Sequence, residues 1–156
     1  MNKAQKQLLA NLVGTAIIIV AFIFGFGNFK DYVNKSEALR AFKQLGQEVL
    51  KYRKNTGQLP GESMIANLKE QLEGSARMGN IEYRAQYISI DSPPDTIVAY
   101  SEKDYNWLIS SGVVVLLLDG RVLYLAPKEF NDLLAKQQTA FEAEQMKKAQ
   151  KPAHGF

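Results

Sequence analysis

Cysteine is absent from this chain, and histidine occurs only once, at His154. Without cysteine there are no disulfides and no cysteine-ligated metal, and a single histidine disfavours a zinc site of the usual ligand types. No G-x-S-x-G sequence occurs, and a Ser–His–Asp triad would depend on that same histidine. The sequence therefore favours a structural or binding protein over an enzyme, and we predict no catalytic residue and no cofactor.

Charged residues are missing from Leu8 to Phe29, and no proline occurs before Pro60. About 20 apolar helical residues cross the roughly 30 Å hydrocarbon core of a bilayer, so residues 8–29 predict a transmembrane helix. A cleaved secretory signal, cut after Gly27, is an alternative, but the apolar run exceeds the usual core of such signals. A buried helix of a soluble protein is disfavoured because the segment is apolar on all faces.

The two flanks of this segment differ in charge. Lys3 and Lys6 precede it and no acid occurs before Asp31, which favours a cytoplasmic N-terminus under the positive-inside rule. Past Phe29 the basic and acidic residues nearly cancel, with no basic stripe among aromatics, so we expect no nucleic-acid partner. We predict four regions: a cytoplasmic N-terminus (1–7), a transmembrane helix (8–29), an extracytoplasmic domain (30–138) and a flexible polar tail (139–156).

Apolar residues after the span recur at helical spacing, which predicts that the same helix continues. They lie on one face, with polar and charged residues on the others: Ala38, Phe42, Leu45, Val49 and Tyr52. Asn55 and Gly57, followed by Pro60, predict the end of this helix. Packing of the apolar face against the protein's own sheet is favoured, and packing against neighbouring subunits is the alternative.

The rest of the chain predicts two shorter helices and a small sheet. We expect a helix over 62–74, a loop over 74–79, strands over 81–90 and 96–100, a hairpin of 112–118 and 121–125, and a closing helix over 128–138. Asp119 and Gly120 predict a two-residue type I′ turn, in which both central residues have positive φ. The unbroken valine and leucine run before them predicts a strand covered on both faces, by the long helix on one. The predicted fold class is α+β, with a long N-terminal helix packed on a small antiparallel sheet.

Two segments resemble one known family. Residues 38–61, ALRAFKQLGQEVLKYRKNTGQLPG, are similar to the exposed half of the stalk helix of type IV pilins and type II secretion pseudopilins. Residues 96–100 and 112–125, TIVAY and GVVVLLLDGRVLYL, resemble the C-terminal hairpin of prepilin-like proteins that carry Asp-Gly near their end. The resemblance implies a pilin-like fold and a signal-anchored, single-pass protein of a bacterial inner membrane. It also implies membrane or pilin-like subunits as partners in a secretion or pilus-type assembly.

The chain departs from that family at its N-terminus. Family members have a leader that ends in glycine and a glutamate at the fifth mature position, whereas no acid occurs here before Asp31. The carboxylate that neutralises a neighbour's amino terminus in a filament therefore has no counterpart. We expect a stationary membrane component rather than a polymerising subunit.

Four acidic residues are the candidate metal ligands: Asp91, Asp95, Glu102 and Asp104. They lie in loops around a predicted strand, and because some pseudopilins bind calcium in their sheet region, the resemblance makes calcium the metal to test. Calcium takes about six to eight oxygens from closely spaced positions, whereas these acids are spread out, so a solvated loop surface is favoured. The alternative function is an anchored or secreted small domain that binds calcium or a small ligand without catalysis.

Overall fold

A computed structural model of the chain describes residues 2–72, 75–101 and 111–149. The fold is α+β, with a long N-terminal helix packed against a four-stranded antiparallel sheet. The elements in chain order are α1 (Lys3–Thr56), α2 (Glu62–Gln71), α3 (Ser75–Met78), β1 (Glu82–Tyr83), a 3₁₀ turn (Ala85–Tyr87), β2 (Ile97–Ser101), β3 (Val113–Leu117), β4 (Val122–Leu125), α4 (Pro127–Gln137) and α5 (Ala140–Ala149).

Helix α1 is a single uninterrupted element of 54 residues. At 1.5 Å per residue it is about 80 Å long. Asn2 caps its start by accepting a hydrogen bond from the Gln5 N–H, and Gly57 ends it in a left-handed conformation with φ of 70°. The Gly57 N–H donates to the Arg53 carbonyl at 2.9 Å, which satisfies one of the last carbonyls of the helix. The prediction of one continuous helix that ends at Gly57 is confirmed.

The sheet has the strand order β1-β2-β3-β4, with antiparallel neighbours throughout. In the hairpin, Val113 pairs with Leu125 and Leu116 with Val122. All five residues of β3 are buried. The predicted central strand, covered on both faces with the long helix on one of them, is confirmed.

Two hydrophobic clusters lie on opposite faces of the sheet. On one face, Phe42, Leu45 and Val49 of α1 pack against the strands, so the apolar stripe of α1 is used by the protein's own sheet, as expected. On the other face, Phe130 and Leu134 of α4 are buried, and the centre of the Phe130 ring lies 4.8 Å from the centre of the Tyr100 ring. The predicted inward face of the closing helix is confirmed.

Contacts between α1 and the hairpin distinguish two ends of the sheet. The Lys35 ammonium lies 3.7 Å from the centre of the Tyr124 ring, whereas Gly120 packs against Leu50, fifteen residues further along α1. Strand β4 therefore runs back toward the apolar part of α1. We call the end with Lys35, Tyr124 and the start of α4 the near end, and the end with Gly120 the far end.

Strand β1 is much shorter than the predicted strand over 81–90, because only Glu82 and Tyr83 pair with β2. The Arg84 N–H still donates to the Val98 carbonyl, but the chain then turns into the 3₁₀ segment. Both backbone groups of Ile97 are bonded by side chains: its N–H donates to Gln137 Oε1 at 2.8 Å, and its carbonyl accepts from Arg84 Nη1 at 2.8 Å. Since these side chains take the place of a neighbouring strand, β1 does not extend.

The turn between β3 and β4 differs from the predicted type I′ turn. In the described part of the chain every residue with positive φ is a glycine, so Asp119 does not have the required conformation. The Gly120 N–H donates to the Leu117 carbonyl, and the Leu117 N–H to the Arg121 carbonyl, both at 2.9 Å. Gly120, with φ of 86°, alone takes the left-handed conformation, as in a three-residue hairpin loop with a glycine bulge.

Two further segments are helical where the sequence predicts none. Residues of the expected loop over 74–79 form the single turn α3, and residues of the expected polar tail form α5. Glu142 of α5 is completely buried, so the folded part of the chain extends beyond the predicted boundary at residue 138. Residues 150–156 lie outside the described residues.

Candidate functional site

Most of the exposed large apolar side chains in the described part of the chain lie in one stretch of α1, residues 8–29, which we call the apolar segment. Its large side chains are exposed on every side of the helix, with Leu8 at 71%, Ile18 at 65% and Phe26 at 68%. No residue of its most apolar window is buried against the rest of the protein. A core helix of a soluble protein buries such a segment, so its exposure argues against that alternative and identifies one candidate membrane-spanning helix near the N-terminus.

The apolar segment contains few polar side chains; among them Asn11 is exposed, whereas Thr15 is bonded within the helix. The Thr15 hydroxyl donates to the Asn11 carbonyl at 2.9 Å, which satisfies it within the helix. Phe22 and Phe26 stack one turn apart, with their ring centres 5.9 Å from each other. Gly14 and Gly25 face open space, since a Cβ at either position would meet no atom within 4 Å. The segment therefore presents a nearly uniform apolar surface.

The boundary between the apolar segment and the folded domain is abrupt. Phe29 is 67% exposed, whereas Asp31, two residues later, is only 8% exposed. From there to Thr56, which we call the stalk segment, buried positions recur at helical spacing, beginning with Ala38, Ala41 and Phe42. One helix thus passes directly from a segment without protein contacts to one that forms the core of the domain.

A stack of Lys35, Tyr124 and Gly112 holds the stalk segment against the hairpin at the near end. The ammonium of Lys35 lies over the Tyr124 ring, a geometry in which the cation is attracted to the negative face of the ring. Gly112 lies against the same ring, and a Cβ there would approach Tyr124 to 2.3 Å, so only glycine fits without a shift. The domain therefore cannot rotate freely about α1 at this end.

A buried ion pair joins α5 to Arg84, the residue that directly follows β1. Arg84 Nε donates to Glu142 Oε1 at 2.5 Å and Arg84 Nη2 to Glu142 Oε2 at 3.0 Å, a bidentate arrangement. Both side chains are almost completely inaccessible to solvent. The remaining guanidinium N–H groups donate to the carbonyls of Ile97 and Gln137. Because every partner is a protein group and solvent is excluded, this pair is suited to holding the fold together rather than to proton transfer.

A shallow groove of about 450 Å³ lies at the far end, between the end of α1 and the 3₁₀ turn. Among the described residues that line it, Glu62 is the one carboxylate, and no lysine or arginine takes part. The Tyr83 hydroxyl donates to the Pro60 carbonyl at 2.8 Å, and burial, followed by the nearby Tyr52, raises the pKa of Tyr83. The groove lacks the converging polar groups typical of a catalytic or ligand site.

The predicted calcium candidates do not form a cluster in the described part of the chain. Asp91 and Asp95 are exposed, and Glu102 and Asp104 lie outside the described residues. Within the described residues no group of three or more histidine or acidic side chains could hold a metal ion. The Asp95 carbonyl instead accepts a hydrogen bond from Gln137 Nε2 at 2.9 Å. Calcium binding by these residues remains a prediction.

Asp119 serves the hairpin turn. Its carboxylate accepts hydrogen bonds from the Arg121 backbone N–H at 3.0 Å and from Arg121 Nε at 2.6 Å. Desolvation raises the pKa of Asp119, but these hydrogen bonds and the charge of Arg121 outweigh it, so the pKa lies below its ordinary value. This geometry agrees with the prediction of a turn-forming residue.

The residues that sequence reasoning missed are Arg84, Gln137 and Glu142. One local signal for α5 was present, because Thr139 and Glu142 have the spacing of a capping box before a run of good helix formers. The Thr139 hydroxyl does accept a hydrogen bond from the Glu142 N–H at 3.2 Å. The pairing of Glu142 with Arg84, 58 residues away, has no such local signal.

Comparisons with known proteins give no assignment. No protein-family model matches this chain, and neither curated proteins nor solved structures give a significant match.

Proposed function

We propose that this protein is a single-pass, membrane-anchored structural protein of pilin-like design, which holds a small α+β domain at the surface of a bilayer. The observation that carries this proposal is the complete exposure of the apolar segment. Exposing so many large apolar side chains to water is strongly unfavourable, whereas a hydrocarbon environment accommodates them. The helical geometry also suits the bilayer, because all backbone hydrogen bonds are satisfied within the helix.

The pilin-like part of the proposal rests on the order and geometry of the elements. A membrane span that continues without a break into the core helix of an antiparallel sheet is the arrangement that the resemblance to pilins and pseudopilins implies. We propose that the partners are other membrane or pilin-like subunits of a secretion or pilus-type assembly. Because the apolar segment contains no carboxylate, we propose a stationary component rather than a filament subunit.

Membrane anchorage is tested by placing a charge in the apolar segment. Val20 lies near its middle and is 51% exposed, so Val20→Arg places a guanidinium at the centre of the span, at a cost of about 3 kcal/mol on insertion scales. Gln47→Arg, on the exposed face of the stalk segment, is the matched control. We expect the parent and Gln47→Arg proteins to stay in the membrane pellet after alkaline carbonate extraction, and a larger fraction of Val20→Arg to be released. A parent protein that is fully released contradicts the proposal.

Orientation is tested with single cysteines, since the chain has none of its own. Ala4→Cys lies before the apolar segment, and Lys54→Cys lies near the C-terminal end of α1. Both positions are exposed. In intact bacterial spheroplasts, we expect a membrane-impermeant maleimide to label Lys54→Cys at once and Ala4→Cys only after permeabilisation. The reverse pattern would place the domain in the cytoplasm and remove the extracytoplasmic assignment.

The stationary role is tested separately from anchorage. Mechanical shearing releases surface filaments from cells, and a filament subunit is then recovered with them. We expect this protein to remain entirely with the membrane after shearing. Its recovery in sheared filaments would contradict the stationary role while leaving the membrane anchor intact.

A further inference from the structure

The near end of the domain lies within reach of the lipid headgroups. The Lys35 Cα is six residues beyond Phe29, which corresponds to about 9 Å along the helix. A headgroup region is roughly 5–8 Å thick on each side of the hydrocarbon core. With the apolar segment in the bilayer, the Lys35–Tyr124 contact therefore falls at the outer edge of the headgroups.

The side chains at this end suit such a surface. Tyr32 is 66% exposed directly after the apolar segment, and tyrosine is typical of the membrane–water interface. Lys30 and Lys128 are exposed, and among the described residues neither has a carboxylate within ion-pair distance. Lys128 belongs to the near end because it follows Leu125, the last residue of β4, by three positions.

Three acidic residues near this end have partners within the protein. Glu37 pairs with Arg77 at 3.2 Å, and Glu129 accepts a hydrogen bond from the Ala126 N–H at the start of α4. Asp31 is buried and has its own interaction within the protein. Glu129 and Asp132 of α4 are exposed close to Lys128, so the near end has exposed groups of both signs, among which Lys30, Lys128 and Tyr32 are the cationic and aromatic ones.

The connection to the apolar segment is rigid. Helix α1 has no break between Phe29 and Lys35, and the stack of Lys35, Tyr124 and Gly112 fixes the hairpin to it. A domain on a flexible linker would sample many orientations, whereas this domain keeps one. The same end must then face the bilayer in every copy.

From this geometry we infer that the near end is a second membrane-contacting surface, on which Lys30, Lys128 and Tyr32 bind the phosphate and glycerol groups of phospholipid headgroups. This inference rests on the proposed membrane anchor and adds that the domain is seated on the bilayer in a fixed orientation. Lysine supplies the charge that phosphate requires, and the tyrosine hydroxyl donates to ester or phosphate oxygens.

The test uses the full chain in nanodiscs of phosphatidylcholine and phosphatidylglycerol that contain a nickel-chelating lipid. A nitroxide is placed at Ala126→Cys at the near end or at Arg121→Cys at the far end, both exposed positions. These positions are separated by about 16 Å along the strand. We expect nickel to broaden the near-end spectrum at least about tenfold more strongly than the far-end spectrum, because broadening falls steeply over that separation.

Charge variants test which residues hold the near end to the lipid. The anchored helix and its domain tilt in the bilayer as one rigid body, and electrostatic attraction to anionic lipid holds the near end against the surface. We therefore expect Lys30→Gln with Lys128→Gln to reduce the near-end broadening by about half in nanodiscs with phosphatidylglycerol. Lys43→Gln with Lys54→Gln, on the exposed face of the stalk segment, is the matched control and should leave it unchanged. Equal loss in both double variants would contradict a specific headgroup contact.

A label at Phe22→Cys separates this inference from the proposed anchor. If oxygen accessibility places this label in hydrocarbon while the near-end and far-end labels broaden equally, the headgroup contact is overturned and the anchor stands. If the Phe22→Cys label is in water, the proposed anchor falls together with the inference.

Discussion

The two halves of α1 share one backbone helix but have opposite surroundings. In the apolar segment, Phe22 is 67% exposed and touches little beyond the neighbouring Phe26. In the stalk segment, Phe42 is completely buried in the core of the domain. The same residue type is therefore exposed outside the domain in one half of α1 and contributes to the stability of the sheet domain in the other.

Periodicity, rather than apolar content, therefore distinguishes the two environments within one helix. The stalk segment has apolar residues on one face because one face meets the sheet. The apolar segment has them on all faces, which suits the proposed bilayer span, because lipid would surround such a helix on every side. Substitutions of one residue type in both a buried and an exposed position test this difference between the two segments.

The largest effect is expected for phenylalanine. Phe42→Ala removes a buried ring from the core and should lower the free energy of unfolding of the domain by about 3–5 kcal/mol. Phe22→Ala should change it by less than about 0.5 kcal/mol, because that ring has no contact with the domain. Urea denaturation in detergent micelles, followed by near-ultraviolet circular dichroism, measures both. Similar losses for the two variants would contradict the separation of the two halves.

A buried and an exposed glutamate extend the comparison to α5. Glu142→Ala leaves the buried Arg84 guanidinium without its counter-charge and should cost about 3 kcal/mol of domain stability. Glu144→Ala, on the exposed side of the same helix, should cost less than about 0.5 kcal/mol. The double variant Arg84→Met with Glu142→Leu should regain most of the loss, since no unpaired charge is buried. Failure of the double variant to recover would assign the loss to the Ile97 and Gln137 carbonyls, which Arg84 also bonds. A loss below about 0.5 kcal/mol in Glu142→Ala would show that α5 is held by other contacts.

Glycines give the next comparison along α1. A Cβ at Gly46 would lie 2.8 Å from Leu116 Cδ1 and 3.3 Å from the Gly120 carbonyl oxygen, so Gly46→Ala should destabilise the domain. The expected net loss is about 1–2 kcal/mol, because overpacking exceeds the gain of up to about 1 kcal/mol in helix propensity. Gly14→Ala meets open space and should leave the thermal melting of the domain unchanged. A stabilised Gly46→Ala protein would show that the helix and hairpin approach less closely.

The smallest expected effect concerns the response to alkaline pH. The pKa of Tyr83 is raised by burial and by Tyr52, so the folded domain disfavours the phenolate. Its contribution to stability is complete below the unfolded pKa of about 10 and is lost as the pH rises above that value. Tyr83→Phe should lower stability at neutral pH by about 1 kcal/mol, through loss of the hydrogen bond to Pro60, and should flatten the alkaline decline.

Tyr32→Phe is the control, because Tyr32 lies beside the apolar segment and is mostly exposed. Urea midpoints measured from pH 7 to pH 11 should be the same for this variant and for the parent. An alkaline decline that persists in Tyr83→Phe would assign it to other groups.

Features set by local pattern could be predicted from the sequence. The helical spacing from Ala38 to Val49 located the buried face of α1, and the valine and leucine run located β3. Phe130 and Leu134 identified the inner face of α4. The exposure of the apolar segment also agrees with its uniform composition. In each case the periodicity of the residues already encodes what surrounds them.

Features set by contacts between distant residues could not be predicted. The residue types from 81 to 90 favoured a long strand. The Arg84 side chain, however, forms hydrogen bonds with Glu142 and with the Ile97 carbonyl, and the strand stops at Tyr83. The polar composition after Thr139 favoured a tail, although Glu142 is buried by its pairing with Arg84. The Asp-Gly pair located the turn but did not determine its type, because an aspartate with negative φ forms a different loop.

The most direct test of the account is a cysteine scan along α1, with a nitroxide at each position in turn in lipid nanodiscs. The cysteine-free chain gives every label a single site. We predict high oxygen accessibility without helical periodicity across residues 8–29, and a period of about 3.6 residues from Asp31 onward, where one face meets the sheet. A helical period that continues through residues 8–29, or access of those labels to water, would contradict the account.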